Sequence, residues 1–143
     1  MEIKIKYHNK NIDKLKVTDK GDWIDLRAAE TVSLKAGEST TISLGVSMKL
    51  PENYEAHIVP RSSTYETWGI IQTNGKGVID NSYSGNNDIW GMPVKADRDT
   101  IIKENDRICQ FRIMERQPKD LSLAETEDLG CEDRGGFGST GTN

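Results

Sequence analysis

Asn74-Gly75-Lys76-Gly77-Val78-Ile79-Asp80-Asn81-Ser82-Tyr83-Ser84-Gly85 is the stretch around which the rest of the chain is arranged. Gly and Asn at its two ends favour tight turns with positive φ. Between them stand two β-branched residues, Val78 and Ile79, then Asp80 and, three residues on, Tyr83. The pattern predicts a compact hairpin that fixes one carboxylate and one aromatic ring. A carboxylate so held can serve as a general base. It can equally be a turn aspartate that bonds its own backbone.

Outward from this stretch, period-two alternation recurs at roughly ten-residue spacing. Strands are predicted over Glu2 to Tyr7, Thr31 to Leu34, Thr40 to Leu50 and Tyr54 to Val59, with a short strand or bend over Trp23 to Leu26. Others are expected at Ile70-Ile71, Ile89 to Val94, Ile101-Ile102, Arg107 to Met114 and Leu121 to Ala124. Gly, Pro, Asn or Asp separates them. Many short strands with such punctuation predict an all-β sandwich or a jelly-roll-like distorted barrel. One helical turn is expected after Pro60, where Ser62, Ser63 and Thr64 supply N-cap residues. The division expected is a β-barrel domain over 1–129 and a flexible Gly-rich arm over 130–143. That arm holds five glycines and cannot form a packed strand.

Composition narrows the function classes. The 143 residues suit one domain, large enough to bury roughly two-thirds of the unfolded surface. A formal charge of −4 argues against direct nucleic-acid binding, which needs a basic surface. No apolar run approaches the roughly 20 residues that span a bilayer. Met1 to Tyr7 alternates apolar and charged residues instead of forming an apolar block, so a cytoplasmic protein is expected. Cys109 and Cys131 form no CxxC pair, and His8 and His57 are the only histidines, which disfavours structural zinc. Both thiols are expected to be free.

Several residues have the chemistry of a phosphate site. Arg61-Ser62-Ser63 combines a guanidinium, hydroxyls and turn amides, though an ordinary cap with a surface arginine has the same sequence. Gln110, mid-strand, either satisfies a neighbouring strand or faces a ligand. Asp25, among Trp23, Ile24 and Leu26, must find a partner: an arginine, a backbone amide, or waters around a magnesium ion carried by a phosphate ligand. Asp106-Arg107 reads most simply as a turn with its own ion pair. In the arm, Arg134, glycine amides and hydroxyls suit phosphates, and Phe137 suits a flat ring. Trp90 is either core or pocket wall.

The order of these segments resembles the homotrimeric dUTP pyrophosphatases (dUTPases), most of all the Bacillus and Bacillus-phage branch. Five motifs carry the likeness: Asp25-Leu26-Arg27-Ala28-Ala29, Pro60-Arg61-Ser62-Ser63, Gly77 to Gly85, Asp106-Arg107-Ile108-Cys109-Gln110, and Gly135 to Gly141. Trp23 stands where the first motif usually has glycine. Arg134 directly precedes Gly135, whereas many members place that arginine three residues before the Gly-Gly pair, a slot held here by Glu132.

The resemblance implies hydrolysis of dUTP to dUMP and pyrophosphate with Mg2+. Asp80 would deprotonate the water that attacks the α-phosphorus. Asn74, Gly77, Val78 and Ile79 would form the uracil-binding stretch, largely through backbone groups, and Tyr83 would pack under the deoxyribose. Arg61, Ser62, Ser63 and Gln110 would hold the phosphates, and Asp25 would act on magnesium through water. Phe137, Gly138, Ser139, Thr140 and Arg134 would close as a lid. The resemblance also implies a homotrimer with shared sites, working in the cytoplasm of a bacterial or phage-infected cell. Two alternatives stand beside it. A dCTP deaminase would need a glutamate on the strand after the hairpin, and Ile89 to Val94 has none. A phage-type regulatory module would bind a protein partner, with or without catalysis.

Overall fold

A computed structural model of the chain describes residues 1–136. Among them eleven strands and one helix of five residues form a nearly all-β, jelly-roll-like distorted fold. β1 (Lys4–Tyr7) pairs antiparallel with β5 (Val46–Lys49). β3 (Val32–Leu34) pairs with β10 (Thr100–Ile102). A three-stranded sheet has the order β4 (Ser39–Ser43), β9 (Gly91–Ala96), β7 (Ile70–Gln72). The four-stranded sheet that carries most candidate residues has the order β2 (Ile24–Arg27), β11 (Arg107–Glu115), β6 (Tyr54–Pro60), β8 (Gly77–Ile79).

The alternating apolar residues of these strands meet in one core. Ile42, Leu44, Val46 and Met48, which alternate along Thr40 to Leu50, are all buried, with Leu26, Ile58, Met92 and Phe111. Trp90 is fully buried and meets Phe111 edge-to-face, ring centroids 5.2 Å apart at 84°. It is therefore core rather than pocket wall. Such a pair adds about 0.5–1.5 kcal/mol beyond the area it buries.

Three details differ from the sequence reading. The run Thr40 to Leu50 is two strands, because Gly45 turns the chain at φ +68. A Cβ at Gly45 would lie 2.8 Å from Ala29 Cβ, so only glycine fits the break. Leu121 to Ala124 forms no strand, and Leu123 is 96% exposed: within one chain nothing packs on it. Finally, Asn74 to Gly85 is not a self-paired hairpin. β7 joins β9, whereas β8 joins β6, so the stretch passes from one sheet to the other.

Residues 117–136 form neither strand nor helix, and all are exposed. They contain six carboxylates (Asp120, Glu125, Glu127, Asp128, Glu132, Asp133) against Lys119 and Arg134. Their net charge of −4 equals that of the whole chain, so residues 1–116 are formally balanced. Cys109 is buried and Cys131 exposed, both unpaired. Among the described residues no helix is long and apolar enough to cross a membrane.

Candidate active site

One group of candidate residues gathers where β2, β11 and β6 end together. Antiparallel pairing sets Gln110 opposite Asp25 on one side and Val59 on the other. Asp25 lies between two guanidinium groups, Arg61 Nε at 3.2 Å from Oδ1 and Arg107 Nη1 at 3.3 Å from Oδ2. Arg61 also donates through Nη1 to the Arg107 carbonyl at 3.2 Å. Of the partners the sequence left open for Asp25, the structure selects arginine. Arg107 pairs with Asp25 and not with its neighbour Asp106, whose carboxylate instead accepts the Lys103 N–H at 2.8 Å.

The turn after β6 is held from within. Thr64 Oγ1 accepts the Arg61 N–H at 2.9 Å and donates to the Ile108 carbonyl at 2.9 Å. The helix α1 (Thr64–Trp68) follows, with Ser63 at its N-cap. The Ser63 side chain makes no capping bond, so the expected cap does not occupy the hydroxyl. Ser62 is exposed and Ser63 half-buried. Buried Thr64 does the anchoring, and neither serine beside Arg61 is used as a side-chain cap of the helix. Gln110 donates from Nε2 to the Pro60 carbonyl at 3.2 Å, which ties β11 to the same turn.

A second group forms around β8. This strand lies at the edge of its sheet, so one side of its backbone is bonded by β6 and the other is open. Gly77 is buried and a Cβ there would meet Ile58 Cβ at 3.2 Å. Val78 is 54% exposed. Gln72 is buried and donates from Nε2 to the Ile58 carbonyl at 3.0 Å and to Asn74 Oδ1 at 2.8 Å. Asn74 is thereby oriented from beneath.

Asp80 follows β8 on an exposed turn. Its Oδ1 accepts the Ser82 N–H at 2.7 Å and its carbonyl accepts the Tyr83 N–H at 3.0 Å. The two readings of Asp80 are thus compatible, since one oxygen bonds the turn and a carboxylate has about four lone-pair sites. The Ser82 backbone N–H, then its hydroxyl, and the charge of Arg116 hold the Asp80 carboxyl below the ordinary carboxylate value. A small recess of about 150 Å³ beside it is lined by Tyr54, Glu55, Asn81, Arg116 and Gln117. Asn81 Nδ2 reaches the carbonyls of Pro51 at 2.8 Å and Tyr54 at 3.2 Å, pinning the turn to the chain before β6. Tyr83 donates its hydroxyl to the Ile89 carbonyl at 3.0 Å.

The chain does not bring its two groups together. Gln110 is opposite Val59, whereas Asp80 follows Ile79, the partner of Ala56. The two candidates are therefore about four residues apart along β6, or roughly 14 Å at ~3.4 Å per residue. Arg134 is exposed and makes no ion pair among the described residues. Phe137, Gly138, Ser139 and Thr140 lie outside the described residues. The sequence reading missed three positioning residues: Arg107 as a partner of Asp25, Thr64 as the anchor of the Arg61 turn, and Asn81 as the anchor of the Asp80 turn. Each adjoins a residue already singled out, and only long-range pairing reveals its role.

A family model described as dUTPase matches residues 7–141. The chain is 58% identical over 142 residues to the SPbeta prophage-derived deoxyuridine 5'-triphosphate nucleotidohydrolase of Bacillus subtilis strain 168, covering 99% of each. Among solved structures, a dUTPase variant of Staphylococcus bacteriophage 80alpha with dUpNHpp gives a TM-score of 0.79 at 22% identity, covering 98% of both chains. A dUTPase variant from phage phi11 of S. aureus, studied for the coordination of a structural Mg(II) ion, gives 0.77 at 18% identity, covering 90% of this chain and 99% of that one.

Proposed function

This chain belongs to the dUTPase family, and from that membership we propose that it hydrolyses dUTP to dUMP and pyrophosphate by water attack on the α-phosphorus. The observation that carries the mechanism is the Asp80 carboxylate. It is solvent-facing, oriented by the Ser82 N–H at 2.7 Å, and kept ionised by that bond. In the reaction it takes a proton from water as the water oxygen bonds to the α-phosphorus. The bridging P–O bond breaks, its electron pair leaving with pyrophosphate. Such chemistry rests mainly on positioning and charge neutralisation.

Specificity follows from the open side of β8. Its unpaired backbone N–H and C=O groups match the alternating acceptors and donor of uracil and mismatch cytosine. Tyr83, anchored on Ile89, packs under the deoxyribose. Arg61, Ser62, Ser63 and Gln110 hold the phosphates. β9 contains no glutamate to act as a deamination base.

Magnesium fits this residue set as an ion carried by substrate. Among the described residues no cluster of three His, Cys, Asp or Glu forms a metal cage. Asp25 still has lone pairs to accept from a metal-bound water after its two arginine contacts. Bound there, the ion would neutralise charge on the phosphate chain.

The assembly is a homotrimer whose sites are shared between chains. The roughly 14 Å between Asp80 and Gln110 along one ladder supports this, because a base and a phosphate clamp must act within a few Å of one phosphorus. A second chain supplies the missing half, and the Gly-rich arm closes over the nucleotide. The test is pyrophosphate release from dUTP, dCTP, dTTP and UTP with and without magnesium. Preference for dUTP is expected; equal turnover of dCTP or UTP would overturn the reading.

A further inference from the structure

Gln72 ends β7 and is 6% exposed, directly beneath the start of the Asn74 to Gly85 stretch. Its Nε2 uses both hydrogens, one on the Ile58 carbonyl at 3.0 Å and one on Asn74 Oδ1 at 2.8 Å. Its Oε1 is buried and accepts no hydrogen bond. An orphaned buried acceptor destabilises the fold. A methionine or leucine would fill the same space without that penalty, so stability alone does not account for an amide there.

The two bonds fix which way both amides face. A backbone carbonyl can only accept, so the Gln72 nitrogen has to face Ile58. The second hydrogen on that nitrogen then points at Asn74, which presents its oxygen. Turning the Gln72 amide over would set Oε1 against the Ile58 carbonyl, two acceptors in contact. An orientation chosen at a carbonyl of β6 is thus passed through Gln72 to Asn74, whose side chain belongs to an exposed residue.

With Oδ1 held by Gln72, the Asn74 Nδ2 group is left as a donor. It lies 3.6 Å from the point that a Cβ at Gly77 would occupy, so it stands beside the first residue of β8. The free side of β8 therefore gains a side-chain donor of fixed orientation next to its backbone groups. Uracil carries a carbonyl oxygen at its 4-position, where cytosine carries an amino group. A donor favours the first and opposes the second, whereas an amide free to turn over would serve either.

We propose that Gln72 is a positioning residue for base selection: it locks the Asn74 amide with its nitrogen toward the free edge of β8, so that a 4-carbonyl is accepted and a 4-amino group refused. This deepens the dUTPase reading and rests on it for the placement of the base. The test is steady-state pyrophosphate release by the full chain from dUTP, dCTP and UTP. Gln72→Met nearly keeps the volume and removes both donors, and Gln72→Leu does so with a branched chain. Each should lower the dUTP-to-dCTP ratio of kcat/KM about tenfold, the worth of one oriented hydrogen bond. The dUTP-to-UTP ratio should stay within about twofold, because the sugar is read at Tyr83, and Tm should stay within about 4 °C of wild type. An unchanged dUTP-to-dCTP ratio would overturn the proposal. So would both ratios falling together, which marks a stretch that is merely loosened. In an Asn74→Ala background, Gln72→Met should change the dUTP-to-dCTP ratio no further; a second tenfold loss there would show Gln72 acting without Asn74 and would overturn it too. A wild type that turned over dCTP as readily as dUTP would refute the enzymatic assignment itself, before any variant is compared.

Discussion

Asp25 Oδ1 stands 3.2 Å from Arg61 Nε, a contact that joins the first expected motif to the second across the width of β11. Its two side chains are a quarter to a third exposed, so the pair contributes about 1 kcal/mol or less to stability. Its larger effect is to aim the guanidinium fork. Asp25→Asn should leave Tm within about 4 °C of wild type and raise KM for dUTP roughly tenfold. Thermal melts and steady-state kinetics measure both; an unchanged KM would count against the aiming role.

Asp80→Asn preserves shape and the Ser82 contact but removes the base. Turnover should fall by about 10²- to 10⁴-fold while dUTP binding persists. Pyrophosphate release near the wild-type rate would exclude Asp80 as base.

The acid limb of the rate profile should report Asp80. The Ser82 bonds hold its carboxyl below the ordinary value of 3.8, so the ionised base survives to lower pH. The stabilisation linked to this shift is present above 3.8 and is lost as pH falls through the lower folded value. Ser82→Ala removes the hydroxyl contact and keeps the N–H. The acid limb should then move up in pH toward the ordinary value, and a limb that stays in place would remove the hydroxyl from the account.

Shared sites can be tested by mixing chains. Asp80→Asn and Arg61→Ala assemblies should each be nearly inactive. Refolded together in equal amounts, they should regain about one quarter of wild-type turnover, since a site needs one intact residue from each of two chains. No recovery would mean that each chain builds its own site.

Truncation before Gly135 should lower turnover sharply and leave Tm unchanged, because residues 117–136 are exposed and belong to no strand or helix. Full activity of the shortened chain would refute the lid.

The sheet architecture was legible because alternation reports burial directly. It could not report the break at Gly45, since Leu44 and Val46 stay buried on both sides of it. Leu121 and Leu123 alternate like a strand, yet a strand needs a partner, and none pairs with them among the described residues. The Asn74 to Gly85 stretch was read with its turns in the right places and its pairing wrong, because turn residues give local geometry and not the choice of neighbour. At the candidate site, Asp25 had to find a partner, and residue types alone narrowed the choice to arginine, amide or water. That Arg107 pairs with Asp25 and not with its neighbour Asp106, whose carboxylate accepts the Lys103 N–H, is decided by long-range strand pairing. Such competition between near and distant partners is invisible until the chain is folded.

The acidic character of residues 117–136 makes the molecule a charge-separated object, a neutral body trailing an anionic strap. If that strap carries the lid, each closure moves carboxylates toward a polyanionic nucleotide. Added salt then acts on the two halves of capture with opposite sign: it screens the repulsion that resists closure and the attraction that draws phosphate toward Arg61. Ionic strength becomes a dial between arrival and sealing, set by where along the chain the carboxylates were placed.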